Sequence, residues 1–519
     1  MASKLRVIIL KPSKYAPDGH VERFRWGFMP NSTVPHIRSM TPGEIGGVPI
    51  EVHTIDEYVH CDLDYYSLLR GERGCRTLLA LVGVQSHQFH RALDLAAYAQ
   101  TNGCLAVIGG PHPMTCDTSM LQGRGVSFAL AEAELIWPSI LGDAATGGLR
   151  PAYGLERRWE QELNAPVVIP PGRRDLRRYI VPMLGLYPAR GCPFVCNYCS
   201  VIQIAGRRVR GQRIETTIES LRAAQAAGVK TIMFTSDNFN KYDKARELLD
   251  AIIEERLGLS YFVQCDTQIA RQEELVALLA RAGCDQMFVG VESFNRSTLL
   301  AARKGQNRPE LYRDIVDLCR SYGISSHFSN IIGFPDDTES GIRDHVEALC
   351  DLSPSCASFY ILCPIPGTEQ YDDFLRENLI VENNLDRFDT TCLTWRHPHL
   401  SPGELLRLLF WSYKRFFSIR HAAANAYHLS RDHGNYLSNS LASFAYALFN
   451  RHSARRATHP MSGGVKRVVL DTADGLLRFR REVFGYELVP LPQNLQLPMT
   501  DQLSDGKRTK TNDPNASRR

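Results

Sequence analysis

Hydrophobic and polar positions along the first 145 residues switch repeatedly between two periods. Residues 6–10 form a short β-branched apolar run, residues 50–55 (IEVHTI) alternate, and residues 77–84 (TLLALVGV) are continuously apolar, as a strand covered on both faces requires. An Ala-rich helical stretch at 90–100 stops at Gly103. A second buried run follows at 105–108, then a weaker strand at 126–130 that leads into an acidic helix start at 131–135. Strands alternating with helices pair in parallel, so 1–145 is expected to be a doubly wound α/β domain. Residues 146–185, broken by Gly147-Gly148, Pro151, Pro166 and Pro170-Pro171, read as a linker. A second alternating series fills 186–385. Its strands fall at 184–187, 231–235, 260–265, 286–291, 327–332 and 358–362, with helices at 217–227, 244–255, 273–282, 309–322 and 340–352. Six β/α units predict a partial (β/α)6 barrel whose chemistry lies at the C-terminal ends of its strands. Residues 386–495 turn helical. Ser401-Pro402-Gly403-Glu404 reads as a capping box, the hydroxyl accepting from an amide that Glu404 answers. Residues 496–519 are polar and expected to be a disordered tail.

Composition narrows the class. The chain has 519 residues, enough for about three domains at ~150 residues each. Lys plus Arg number 60 and Asp plus Glu 56, a net charge of +4. This balance excludes a bulk polycation built for nucleic acid and an acidic disordered chain. The N-terminus shows no signal-like apolar segment, and the longest apolar runs fall far short of the ~20 residues that span a bilayer. A cytoplasmic protein without a membrane span is expected, its 14 cysteines reduced thiols or metal ligands rather than bridges.

Three of those cysteines stand out. Cys192-Pro-Phe-Val-Cys196-Asn-Tyr-Cys199 directly follows a strand-like segment, which places three thiols on one loop at a strand's C-terminal end. Thiolates suit zinc or an iron–sulfur cluster. Structural zinc wants four closed ligands, and no fourth Cys or His lies nearby. Three ligands on a four-iron cluster leave one iron open.

With Tyr198 before the third cysteine, this loop resembles that of the radical SAM superfamily, and further segments agree in order. Phe234-Thr-Ser-Asp237-Asn238-Phe239 ends the second strand, Gln264 and Asp266 the third, and Gly290-Val-Glu292-Ser293 the fourth. Asn330-Ile-Ile-Gly333-Phe-Pro335 ends the fifth, and Pro364-Ile-Pro366-Gly367 follows the sixth. The resemblance implies a 4Fe-4S cluster on Cys192, Cys196 and Cys199. It also implies S-adenosyl-L-methionine held by Tyr198, Asp237, Asn238, Gln264, Asp266, Glu292, Ser293, Asn330, Gly333 and Pro366.

The N-terminal module narrows the branch. Val84-Gln85-Ser86 and Val107-Ile-Gly109-Gly110-Pro111-His112 each follow a buried strand, where glycines let a large ligand approach the sheet's end. A doubly wound domain with these loops before such a barrel resembles the cobalamin-dependent radical SAM enzymes, over roughly residues 1–385. Ser86, Gly109, Gly110 and His20 are the implied cobalamin contacts. Asp18-Gly19-His20 partly matches the motif whose histidine replaces the lower axial base, but Arg23 stands where that motif closes with glycine. His20 is therefore either a cobalt ligand or an ordinary loop histidine, with Arg23 as an alternative shield of the lower face. Ala131-Glu132-Ala133-Glu134 stands where the branch has Gly-Glu-Gly-Glu, which stiffens that turn. Arg207, Arg208 and Arg210 read as a solvated, salt-bridged loop, with contact to a substrate carboxylate or phosphate as the alternative.

The resemblance implies a C-methyltransferase that uses a 5′-deoxyadenosyl radical and methylcobalamin on an unactivated carbon of a small-molecule or natural-product substrate. An external electron donor such as a flavodoxin or ferredoxin would serve it. Cyclisation or rearrangement without methyl transfer, a non-catalytic Fe–S or cobalamin binder, and a zinc-structured protein are the alternatives.

Overall fold

The computed structural model describes residues 3–470 except 17–19, 157, 160–161, 434–435 and 461–463. The proposed tail at 496–519 lies outside the described residues, as does Asp18.

The N-terminal sheet is built on strands β1 (Lys4–Lys11), β2 (Val48–Asp56), β3 (Cys75–Leu81), β4 (Leu105–Gly109), β5 (Val126–Ala129) and β6 (Ala152–Tyr153). They lie side by side in the order β2-β1-β3-β4-β5-β6, all parallel, with a short hairpin strand (Glu44–Ile45) beyond β2. β1 is central and pairs on both sides, Val7 against Val52 and Leu78. Val7, Ile8 and Ile9 are fully buried, Ile8 in one core layer and its two neighbours in the other. Each such side chain stabilises the fold by about 2 kcal/mol through burial. Helices α1 (Thr33–Ser39) and α3 (Ala133–Thr146) cover one face, and α2 (Phe89–Thr101) the other. The segment read as linker contributes β6, because its AY pair has an open sheet edge beside β5 to complete.

The second sheet has β7 (Met183–Leu186), β8 (Thr231–Phe234), β9 (Ser260–Cys265), β10 (Cys284–Glu292), β11 (Ser325–Ile332) and β12 (Cys356–Ile361). They pair in sequence order, all parallel, with helices α4 (Ile214–Ala226), α5 (Ala245–Glu255), α6 (Glu273–Ala282), α7 (Tyr312–Ser321) and α8 (Glu339–Leu352) outside. Side chains alternate across a strand. The helix-facing row (Ile232, Tyr261, Val263, Met287, Val289) is completely buried, while the inward row (Met233, Phe262, Gln264, Phe288) is half-exposed at the centre of its strands. The lumen is hollow.

Helices α9 (Pro402–Phe416), α10 (Ile419–His433) and α11 (Tyr436–Arg455) follow. The capping box forms as expected, Glu404 N donating to Ser401 Oγ at 3.3 Å and Ser401 N to Glu404 Oε2 at 2.8 Å. α9 closes the open edge of the barrel. The Tyr413 hydroxyl accepts from Phe359 N at 3.1 Å, and His459 Nε2 reaches Phe359 O at 2.8 Å, which pairs an otherwise bare strand edge. The C-terminal region is not wholly helical. Gly464–Arg467 runs antiparallel to Phe24–Gly27 near the start of the chain, Val465 opposite Trp26.

The two sheets meet closely at Gly185 on β7, where a Cβ would collide with Ser32 Oγ just before α1. Gly185→Ala is therefore expected to lower the thermal unfolding midpoint, by overpacking worth about 1–3 kcal/mol, in a circular-dichroism melt.

Candidate functional site

The three cysteines lie on the loop between β7 and β8. The turn is pinned from both sides: Cys192 N donates to Gly206 O at 3.2 Å, Cys199 N to Cys196 O at 3.2 Å, and Gly191 N to Asp237 Oδ2 at 2.7 Å. All three thiols are free of disulfides. Side-chain amides approach the sulfurs, Asn238 Nδ2 at 3.9 Å from Cys192 Sγ and Gln306 Nε2 at 3.6 Å from Cys196 Sγ. Burial pushes the Cys199 thiol up to about 12 and also raises Cys192. These thiols ionise when a cation takes the proton's place. The donor set thus fits an iron–sulfur cluster.

The barrel rim beside this loop is polar. Asn238 and Asp266 are locked together, Asn238 Nδ2 donating to Asp266 Oδ2 at 3.0 Å while Asp266 N donates to Asn238 Oδ1 at 3.1 Å. Asp266 Oδ1 also caps the following turn, accepting from Gln268 N at 2.6 Å. Burial raises the Asp237 carboxyl, against the Gly191 amide and the nearby Arg190 and Arg210. Glu292 ends β10 at φ 63°, a left-handed conformation that a non-glycine residue adopts at a cost of order 1–3 kcal/mol. That backbone turns its carboxylate onto Lys304 Nζ at 2.7 Å, both groups buried. Burial would lower the Lys304 ammonium, but the Glu292 carboxylate outweighs it and holds Lys304 above its ordinary range. Lys304 also lies 5.9 Å from the Tyr198 ring centre. Sequence reasoning missed Lys304: its motif partner is twelve residues away, and only the φ reversal brings them together.

The other residues singled out from sequence fall in different places. Gln264 faces the lumen. Ser293 Oγ accepts from Asn295 N at 3.0 Å at the start of the next helix. Asn330 stands on the helix-facing row of β11, its amide engaged by Phe328 O, Ser358 O and His345 Nε2. Gly333 N donates to Asp337 Oδ2 at 2.8 Å, and burial pushes that carboxyl up to about 6. Pro366 O accepts from Thr115 Oγ1 of the N-terminal domain at 3.4 Å.

In that domain, Ser86 Oγ is 3.0 Å from His112 Nδ1, and both are buried. Gly110 (φ 138°) has its Cβ position filled by the Val84 backbone, so this glycine serves the approach of two loops. His20 sits in the turn between Tyr15 and Val21, its carbonyl accepting from Ala16 N at 2.9 Å. Arg23 is 1% exposed, donating to Glu57 and to the Tyr65 hydroxyl at 2.8 Å, which directs it into the core rather than toward a ligand face.

A cavity of about 250 Å³ opens at the carboxyl ends of β3, β4 and β5, under α1 and α3. Gly83, Gly109 and Ala129 leave the space, and Ile37, Trp137 and Ile140 make it apolar. This is where open α/β sheets hold ligands. Its mouth carries buried charges from both domains. Glu134 receives Arg190 at 2.8 Å and His36 at 2.7 Å, and Glu132 receives Arg210 at 2.7 and 2.8 Å. Burial would raise the Glu134 carboxyl, but Arg190 and His36 outweigh it and hold it well below the usual range. Arg210, read from sequence as solvated, is 6% exposed. The Ala-Glu-Ala-Glu turn is thus a latch: its alanines border the cavity and its carboxylates grip the barrel. Asp237 and Arg190, next to the cysteine loop, border the same cavity.

Residues 186–349 match the sequence profile of the Radical SAM superfamily. The matched residues carry the cysteine loop and most of the second sheet, so this segment is similar to a radical SAM domain. Among curated relatives, bacteriochlorophyllide d C-12(1)-methyltransferase of Chlorobaculum tepidum is 25% identical over 309 residues, 56% of this chain and 64% of the relative, so under two thirds of that protein is matched. Two solved structures share the fold. TsrM from Kitasatospora setae, solved with cobalamin and a [4Fe-4S] cluster bound, superposes with a TM-score of 0.57 at 17% identity, covering 72% of this chain and 75% of its own. The cobalamin-dependent S-adenosylmethionine radical enzyme OxsB, solved with aqua-cobalamin, superposes with a TM-score of 0.54 at 12% identity, covering 97% and 80%.

Proposed function

We propose that this chain is a cobalamin-dependent radical SAM C-methyltransferase acting on a small-molecule substrate. The observation that carries the reading is the facing of two sites: the cavity at the carboxyl end of the N-terminal sheet and the cysteine loop share Arg190 and Asp237 as a common wall. When bound, the cluster and S-adenosyl-L-methionine would supply a 5′-deoxyadenosyl radical, and cobalamin a carrier for the methyl group.

Cys192, Cys196 and Cys199 would hold the cluster. The locked Asn238–Asp266 pair and the Glu292–Lys304 pair present fixed acceptors and a fixed cation at the rim, which suits a zwitterionic amino acid. The apolar slot lined by Ile37, Trp137 and Ile140 would take a flat aromatic part of cobalamin. The Arg190–Glu134–His36 cluster stands at the cavity's mouth between that slot and the loop, the Glu134 carboxylate answered by the Arg190 guanidinium. Radical chemistry belongs to the cofactors, while the residues position them and exclude water.

The test is anaerobic reconstitution with iron, sulfide and cobalamin, then incubation with methyl-labelled S-adenosyl-L-methionine, a flavodoxin reducing system and an extract of the producing cell. Label in a carbon-bound methyl of a product is expected. 5′-Deoxyadenosine without labelled product would replace the reading by cyclisation or rearrangement, and absence of both by a non-catalytic binder.

A further inference from the structure

We infer that the lower half of the barrel lumen is the seat for an uncharged, mainly apolar portion of the substrate. This deepens the methyltransferase reading and rests on it for the word substrate. A cavity of about 450 Å³ lies there, within the ~300–1,000 Å³ range of small-molecule sites. At the ~30 Å³ of a water-sized group it holds on the order of fifteen non-hydrogen atoms.

The wall follows from strand parity. Met233, Phe262, Phe288 and Tyr360 point inward and are half-exposed, while their neighbours pack against the helices. Among the described residues, no Asp, Glu, Lys or Arg lines the cavity. Its polar groups are neutral. Gln286 Nε2 and Ser358 Oγ stand 3.0 and 2.6 Å from the two ring nitrogens of His327, which burial lowers to about 3 and so keeps uncharged. A carboxylate or phosphate would find no counter-charge among the described lining residues, and its desolvation would cost several kcal/mol.

The floor belongs to the C-terminal hairpin. Ala442 and Ser443 of α11 face the lumen with small side chains, and Asn425 of α10 ties to Ser443 Oγ at 3.2 Å. The upper end leads to the chemistry. On β9, Gln264 lines the cavity two residues before the rim residue Asp266. A molecule seated below thus extends toward the rim beside the cysteine loop.

The experiment titrates the full-length protein, without S-adenosyl-L-methionine or turnover, with the neutral fluorophore N-phenyl-1-naphthylamine. One saturable site is expected. Ala442→Trp, which fills the floor, should weaken binding at least tenfold, and Met233→Gln, which keeps the volume but adds an amide, several-fold, each variant first shown folded by its circular-dichroism spectrum. The anionic analogue 1-anilinonaphthalene-8-sulfonate should fail to displace the probe. The proposal is overturned if Ala133→Phe, in the N-terminal cavity, removes binding while Ala442→Trp does not. It is also overturned if the anion competes as well as the neutral probe. Probe binding needs no cluster, so loss of methyl transfer with retained binding would fell the functional reading and leave the pocket standing.

Discussion

Cys196→Ala should reduce 5′-deoxyadenosine formation to background in anaerobically reconstituted protein, and Cys192→Ala and Cys199→Ala should do the same. The three sulfurs come from one pinned loop, and the fold offers no substitute thiolate: Cys265, on the next strand but one, is buried on the helix side, where burial holds its thiol well above the ordinary range. Removing one sulfur therefore removes the cluster, not only its tuning. The graded comparison is Asn238→Ala and Gln306→Ala, whose amides point at Cys192 and Cys196. Groups behind a metal ligand typically cost ~10–100-fold in affinity or activity when lost, so these variants should keep iron and brown absorbance while slowing turnover within that range. Iron quantification and product assay separate the two patterns. Full activity in a Cys→Ala variant would refute the assignment.

Glu57→Gln should be the most destabilising single change in the N-terminal domain. Glu57 is fully buried and carries two arginines, Arg23 and Arg91, themselves 1% and 0% exposed, with the Tyr65 hydroxyl donating at 2.6 Å. Removing the carboxylate strands two buried guanidinium groups, a loss of about 3–5 kcal/mol. Burial alone would raise the Glu57 pKa, but the two arginines outweigh it and bring it down to about 2 from 4.5. The sign follows from linkage: a carboxyl with a depressed folded pKa stabilises fully above its unfolded value and loses that contribution as pH falls through the folded one. The unfolding free energy from the first urea transition should therefore fall between about pH 4.5 and pH 2, by an amount on the order of 3 kcal/mol. Glu57→Gln should be low at neutral pH and much flatter across that window. Tyr65→Phe should sit between, because it removes one hydrogen bond to a charged group, worth about 1.5–3 kcal/mol.

Much of this was legible in the chain. Continuous apolar runs such as TLLALVGV become strands covered on both faces, and the cysteine spacing marks the loop at a strand's end without help from tertiary contacts. Strand parity was not legible where polar residues crowd both faces. In SSHFSNII, the alternation does not say whether Ser329 or Asn330 faces the lumen, and the structure turns Asn330 to the helices. Pairings across long separations were equally hidden. Glu132 meets Arg210 across 78 residues, and nothing local distinguishes a latch of that kind from a solvated arginine loop. Arg23 is the same case at shorter range: a missing glycine in a motif says what a residue is not, while its partner Glu57 says what it is.

The strand Gly464–Arg467, laid against Phe24–Gly27, has a mechanical consequence. The N-terminal domain is tethered to the rest of the chain not only where it leads into the barrel but also by this returning clasp, with Val468 N on Arg23 O at 2.8 Å. Together with the latch of Glu132 on Arg210 and Glu134 on Arg190, the clasp restrains the domain from swivelling against the barrel. Entry of a bulky prosthetic group must then proceed by a narrow hinge motion or before the clasp closes. Because the clasp follows the barrel in the chain, loading ahead of its closure would make assembly order part of how the protein is completed.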